Sequence, residues 1–369
     1  MYNEIGSNFW LNRHEQLDDT QINLDFLDIK MKDIAYLSTG RSAISFVLDN
    51  IEVLRDEKKA LLPPFTCHTV IQPFINAGYK ISFYRINKDL SIDKKDFLEN
   101  VKVYQPSVIL VHGYFGFNTL GQINDIIQEI RDLGTIIIED ITQTLYSQFN
   151  HISADYYICS FRKWTALPDG GCAISTNDLF SYKPTNVDYR LEESKLNAFH
   201  SKYLYMDINI GEKNNFLKLF YDAEQILNKQ ESIYAMGDVS KKLQSNLDIG
   251  ELRKSRQRNY SILNESLTNS RIVEPVFPEL LEEVTPLYFP IYVKCDRKAF
   301  QTYLAENKIY APIIWPKSDL CNNSINLEVD WIYRNILSIP CDQRYSMEDM
   351  ERVVEIINNY KQSTEWYER

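Results

Sequence analysis

The sequence predicts an α/β protein, with a large domain on a mainly parallel sheet and a smaller α+β domain at the C-terminal end. Three observations predict it. Short apolar runs alternate with amphipathic helical patterns from about residue 36 to 180. The pattern changes character near residue 250. The chain has 369 residues, of which 44% are hydrophobic, enough to bury one large core and a smaller one.

The elements follow in order. Residues 1–35 are polar with scattered aromatics and read as an irregular N-terminal arm. A helix is predicted from Arg41 to Leu54, because Ile44, Val47, Leu48, Ile51 and Leu54 recur at helical spacing. Ala60-Leu61-Leu62-Pro63 reads as a short strand closed by prolines. Ser107 to His112 is a buried strand, and Thr135 to Asp140 another, β-branched and ending in two acids. Ile123, Ile126, Ile127, Ile130 and Leu133 place a helix over roughly 122–133 between them. Asp155 to Phe161 and Cys172 to Ser175 are two further strands. Residues 180–250 are helical and polar. The division therefore runs 1–249 for the large domain and 250–369 for the small one. The small domain opens with a helix from Leu252 to Leu267, then a strand from Leu287 to Val293. A helix from Arg297 to Asn307 follows, and a last one over 346–360.

The formal charge is −11, and no basic cluster marks a nucleic-acid binder. The six cysteines are scattered without a C-x-x-C pair, so zinc-ribbon and thioredoxin patterns are absent, no metal site is expected, and the thiols read as reduced. No run of 18 apolar residues spans a membrane. Met1-Tyr2-Asn3-Glu4 shows no charged-then-apolar signal pattern, so a cytoplasmic location is expected.

Three segments carry candidate chemistry. Ser38-Thr39-Gly40-Arg41-Ser42 precedes a helix; backbone N–H groups at a helix start, hydroxyls and an arginine make an anion site, or else a plain helix cap. Glu139-Asp140-Ile141-Thr142-Gln143 closes a strand, where ligands of parallel sheets sit; His112 and Ser160 also fall near such ends. Ser160-Phe161-Arg162-Lys163 follows another strand and leads to Pro168-Asp169-Gly170-Gly171. A lone lysine is nearly always solvated, and a Schiff-base lysine needs a lowered pKa and a placed electrophile.

The three segments in this order resemble the DegT/DnrJ/EryC1/StrS family of sugar aminotransferases, which use pyridoxal 5'-phosphate (PLP). The resemblance covers roughly 35–360 and includes Pro63-Pro64-Phe65-Thr66-Cys67, Ala77-Gly78 and His112…Gly116. It implies a fold-type I PLP-dependent transferase, aspartate aminotransferase-like, working as a homodimer. By that resemblance Lys163 forms the Schiff base, Asp140 pairs with the pyridine nitrogen, and Gln143 lies beside the phenolic oxygen. Gly40, Arg41, Ser42 and Ser160 match phosphate-binding positions. The implied reaction moves an amino group from L-glutamate, through pyridoxamine 5'-phosphate, to a nucleotide-linked ketosugar for polysaccharide, glycan or antibiotic sugar synthesis. A PLP sugar dehydratase is the alternative, but certain relatives with that activity carry His in place of the lysine. A weakly catalytic regulatory homologue would not need Asp140, Gln143 and Lys163 intact. A plain nucleotide binder would need a glycine-rich loop that this chain lacks.

The chain departs from the family pattern in four places. Ser160 to Lys163 is two residues shorter than in many members. Cys67, followed by His68, stands where many members place an aromatic ring over the cofactor, so by the resemblance either the Cys67 or the His68 side chain is expected to cover it. Residues 231–238 lack the Asn-x-Arg that reaches a partner's phosphate site, so Arg41 is expected to supply that charge. Ile314-Trp315-Pro316 replaces His-Tyr-Pro, which makes Trp315 either a substrate contact or core.

Overall fold

The structure is a computed structural model that describes residues 4–12, 18, 20–52, 57–319 and 327–361. Its strands are β1 (Ile5–Gly6), β2 (Asp33–Leu37), β3 (Lys59–Leu62), β4 (Lys80–Phe83), β5 (Val108–His112), β6 (Ile136–Asp140), β7 (Tyr156–Ser160), β8 (Gly171–Ser175), β9 (Val273–Pro275), β10 (Phe289–Val293), β11 (Ile309–Tyr310) and β12 (Ile336–Ile339). Its helices are α1 (Gly40–Asn50), α2 (His68–Asn76), α3 (Lys94–Tyr104), α4 (Ile127–Asp132), α5 (Tyr189–Met206), α6 (Lys213–Asn228), α7 (Asp238–Ser245), α8 (Ile249–Leu267), α9 (Arg297–Glu306), α10 (Leu327–Asn335) and α11 (Met347–Asn358).

Seven strands form the central sheet in the order β2-β8-β7-β6-β5-β3-β4. β4, β3, β5, β6 and β7 run parallel, and β8 runs antiparallel to both β7 and β2. Side chains alternate across the pleat, and both faces are covered. Val108, Leu110, Ile138 and Ile158 pack with α1 and α2 on one face, while Ile109, Val111, Ile137 and Cys159 pack on the other. That second core runs on without a break into the smaller sheet through Leu252, Tyr260, Leu263, Phe289 and Ile291.

The smaller sheet has β10 between β12 and β9, antiparallel to both. The expected boundary at 249/250 falls on the first residues of α8. The N-terminal arm is less irregular than its composition predicts. Gly6 and Ile5 pair with Tyr310 and Ile309 as β1 against β11, and Asp33 to Leu37 complete the edge of the large sheet. β1 is two residues long and leaves no periodic signal to read.

α1 is capped by Thr39, whose hydroxyl accepts from Ser42 N–H at 2.9 Å. It ends at Asn50, short of the expected Leu54, because Ile51 turns to extended backbone. The pattern over 122–133 splits into a 3₁₀ turn, Gly121–Ile126, and α4. α5 and α6 form a helical hairpin with its own small core of Phe199, Phe216 and Phe220. Of the cysteines, Cys159, Cys172 and Cys341 are buried free thiols, and Cys67 and Cys295 are half-buried and also free; Cys321 lies outside the described residues. Among the described residues no cluster fit for a metal ion occurs, and no helix is long and apolar enough to cross a membrane.

Candidate active site

The sheet register gathers the chemistry along one edge. His112 at the end of β5 sits opposite Asp140 at the end of β6, and Ser160 at the end of β7 sits opposite Gly171. Gly171 is required there. A Cβ at that position would lie 2.6 Å from Cys159 O and 2.7 Å from the Thr39 carbonyl carbon. The glycine pair predicted to matter thus lets the chain before α1 close down on β7 and β8.

Lys163 is set by the turn after β7. The short spacing from Ser160 closes as one 3₁₀ turn, Phe161–Lys163. Trp164 then anchors the turn: fully buried, it donates Nε1–H to Thr142 O at 2.7 Å, and its own carbonyl accepts from Gln343 Nε2 at 2.8 Å. The buried Arg256 guanidinium stacks 4.7 Å from the Trp164 ring centroid. Lys163 itself is reachable from the cavity beside it, and its amine has no hydrogen-bond partner among the described residues. Its depth in the fold lowers the amine's pKa, and the charge of Arg162 pushes the same way.

Asp140 is buried and accepts a hydrogen bond from Thr142 N–H at 2.9 Å. Burial raises its carboxyl to about 6, against the pull of the Thr142 bonds. Thr142 also accepts from Ser160 N–H at 3.0 Å, so one residue knits the acid, the serine and the lysine turn together. Gln143 Oε1 accepts from Phe115 N–H at 2.7 Å, which fixes the amide orientation and leaves its NH₂ as the donor into the cavity. His112 is held near 4 by burial and is neutral. Its Nδ1 faces the Gly113 carbonyl at 3.2 Å and carries the proton, so Nε2 accepts from Thr66 Oγ1 at 3.1 Å.

At the other end of the cavity, of about 390 Å³, stands the start of α1. The first N–H groups of a helix have no intrahelical acceptor, and Gly40 and Arg41 supply them here. Ser160 Oγ is buried without a hydrogen-bond partner among the described residues. Such an orphan is costly unless something bonds to it. Arg41 lines the same end, donates to Leu227 O at 2.9 Å, and is repelled by Arg162. Two hydroxyl-flanked N–H groups, an orphan hydroxyl and the Arg41 guanidinium form an anion seat.

The structure brings Gly40, Arg41, Cys67, Asp140, Gln143, Ser160, Lys163 and Trp315 onto this one cavity. It does not bring Ser42 and His68 there. The Ser42 hydroxyl bonds inward to Thr39 and Ser38 at 2.8 and 3.1 Å, serving the helix cap. His68 is exposed and bonds to Ser318 and Gln72 at 3.1 and 3.0 Å. Cys67, the residue before α2, is the one of that pair that faces the cavity. Trp315 takes part of each expected role. It meets the Phe65 and His112 rings edge-on, with centroids 5.1 and 5.5 Å away, and still lines the cavity. Residues 231–238 line neither large cavity. Tyr234 O accepts from Ser38 N–H at 2.9 Å, and Ala235 bridges Leu37, so the segment seals the edge of β2. Arg162, Thr142, Tyr288 and Glu224 also line it and were not singled out in the sequence. Only Arg162 had a visible signal, its place beside Lys163.

No family model matches the chain, and no curated protein matches it in sequence. The fold, with its seven-stranded sheet and site at the strand ends, is that of the PLP-dependent aminotransferases. It is similar to PseC of Helicobacter pylori, an aminotransferase of pseudoaminic acid biosynthesis, at 15% identity and TM-score 0.66 over 96% of this chain and 98% of that one. A DegT DnrJ EryC1 StrS aminotransferase of Brucella abortus is similar at 16% identity and TM-score 0.64, over 92% and 90%. NtdA of Bacillus subtilis, solved with bound PMP, is similar at 17% identity and TM-score 0.63, over 89% and 73%. At such identities the likeness is one of fold.

Proposed function

We propose that this chain is a PLP-dependent aminotransferase that moves an amino group from L-glutamate to a nucleotide-linked ketosugar. One observation carries the reading. A buried acid, an oriented amide donor, a reachable amine of lowered pKa and an orphan-bearing anion seat surround one cavity of about 390 Å³. That spacing of groups fits PLP. Ser160, the α1 start and Arg41 would hold the phosphate. Asp140 would hold the ring nitrogen protonated, Gln143 would donate to the phenolic oxygen, and Cys67 would lie against the ring. When bound, the cofactor supplies an electron sink for charge at the substrate carbon. Lys163 would hold the cofactor, and its amine would move a proton at the substrate carbon. Neutral His112 and the Trp315 ring packed edge-on against it give that space an uncharged wall. The fold likeness to sugar aminotransferases supports the sugar acceptor. A homodimer in the cytoplasm is part of the same reading.

Arg41→Ala should weaken PLP binding about 10- to 100-fold, the worth of a charged hydrogen bond. Tyr234→Phe should change it little, because 231–238 bonds to β2 through its backbone. Titration of the apo protein followed by absorption would show the ranking. The reading itself is tested on purified protein. A visible absorption band, a borohydride-fixed cofactor on the Lys163 peptide, and passage of glutamate nitrogen to a member of a nucleotide-ketosugar panel are expected. A colourless protein that no added PLP colours would end it.

A further inference from the structure

A second cavity, of about 550 Å³, meets the first at Lys163. Arg162, Glu224, Tyr288 and Pro312 line both. Its outer walls come from distant parts of the chain: the N-terminal arm at Gly6 to Phe9, Gln301 of α9, and Tyr310 of β11. The arm is firmly seated. β1 pairs with β11, and Asn8 O accepts from Lys202 Nζ at 2.6 Å and from Arg344 Nη1 at 3.0 Å. The space is therefore a built chamber and not a gap beside a loose end.

Its charges do not cancel. Four cationic side chains line it: Arg162, Lys163, Lys195 and Arg344. Lys195 is paired with Glu224. Arg344 is held by both oxygens of Asp342, at 2.7 and 2.8 Å. Arg162 has neither a hydrogen bond nor an ion pair among the described residues, and its Nε is buried with no partner. Guanidinium presents a planar fork of donors that matches a carboxylate, and a buried unpaired donor is costly. Glu224 and Asp169 feel its charge from farther off, but of the four cations the guanidinium without a hydrogen bond stands beside the amine without one, at the mouth between the two cavities.

We propose that Arg162 anchors a carboxylate of the substrate in the second cavity, placing a carboxylate-bearing amine beside Lys163. This rests on the amino-transfer reading and adds to it the residue that recognises the donor. An amino acid meets the fork with a carboxylate, and an amine without one gains nothing from it.

The test uses the PLP-loaded full chain and two variants, R162Q and R162K. L-Glutamate consumption in the half-reaction is followed by absorption, and glutarate, a dicarboxylate without an amine, is titrated by calorimetry. R162Q should raise the KM for L-glutamate about 10- to 100-fold and weaken glutarate by a similar factor. R162K, which keeps the charge and loses the fork, should recover part of both. Loss of PLP from R162Q would mean that the guanidinium serves the cofactor, and the proposal falls. Unchanged glutarate affinity in both variants overturns it as well. A wild-type protein without a visible band defeats the amino-transfer reading instead, and the glutarate titration still decides whether Arg162 is an anion anchor.

Discussion

Lys163→Ala should reduce the half-reaction with L-glutamate by about 10,000-fold, the upper range for a positioned acid–base group. The protein should still take up PLP. Asp140, Gln143, Ser160 and the α1 start all lie on the cavity independently of the lysine side chain. The fold should also be intact, because the turn is anchored by Trp164 and Arg256 rather than by the lysine amine. The amine has no hydrogen-bond partner among the described residues, so its loss leaves no group stranded. Borohydride should no longer fix the cofactor to the chain. A small primary amine added to the solution should restore a little of the rate, as the proposed proton carriage by the side chain requires. Rapid mixing with absorption detection reads the rate, and peptide mapping reads the attachment. A variant that keeps wild-type speed would place the chemistry elsewhere.

The strands of the large sheet were legible because they are buried on both faces and rich in β-branched residues, as in Ile137 and Ile138. β4 is a short edge strand, Lys80-Ile81-Ser82-Phe83, with one exposed and two half-buried residues, and nothing in it stood out. Most of the expected residues that line the cavity were legible through their order in the chain and their places at strand ends. Which of two neighbours faces the cavity was not. Cys67 and His68 differ by one step at a helix start, and only the local backbone sends one inward. Arg162 illustrates the limit. Its neighbour Lys163 was found by motif, but the absence of any partner for its guanidinium depends on how Asp342, Glu224, Arg344 and Lys195 pair, and these are scattered along the chain. The second cavity was invisible for the same reason. It needs the N-terminal arm to cross to β11, a contact between residues 5 and 309.

Asp140→Asn should make the cofactor-free protein more stable at pH 7 and nearly inactive when loaded. Burial raises the Asp140 carboxyl from 3.8 to about 6. The folded chain therefore holds this proton more tightly than the unfolded chain does. Stability from this group is fully present below about pH 4, falls as the pH rises to about 6, and is missing above that. The shift of roughly two units corresponds to about 3 kcal/mol at most. An asparagine side chain carries no charge to desolvate and can still accept from Thr142 N–H, so the variant should gain about 1–3 kcal/mol at pH 7. The gain should vanish near pH 4, where the wild-type acid is already neutral. Asp169, also raised to about 6 mainly by burial, titrates in the same window. The difference between wild type and variant isolates Asp140 from it. Urea midpoints of the apo proteins at pH 4 and pH 7 read this directly. In the loaded enzyme the balance inverts. A cationic ring nitrogen beside the carboxylate offsets the cost of its burial. The neutral amide of the variant cannot hold that nitrogen protonated, so the half-reaction should slow by about 100-fold or more. A gain in apo stability that persists at pH 4 would show that packing, not charge, is what the substitution changes. Stability is given up here for a buried negative charge, and the charge has a use only when a cation arrives to meet it.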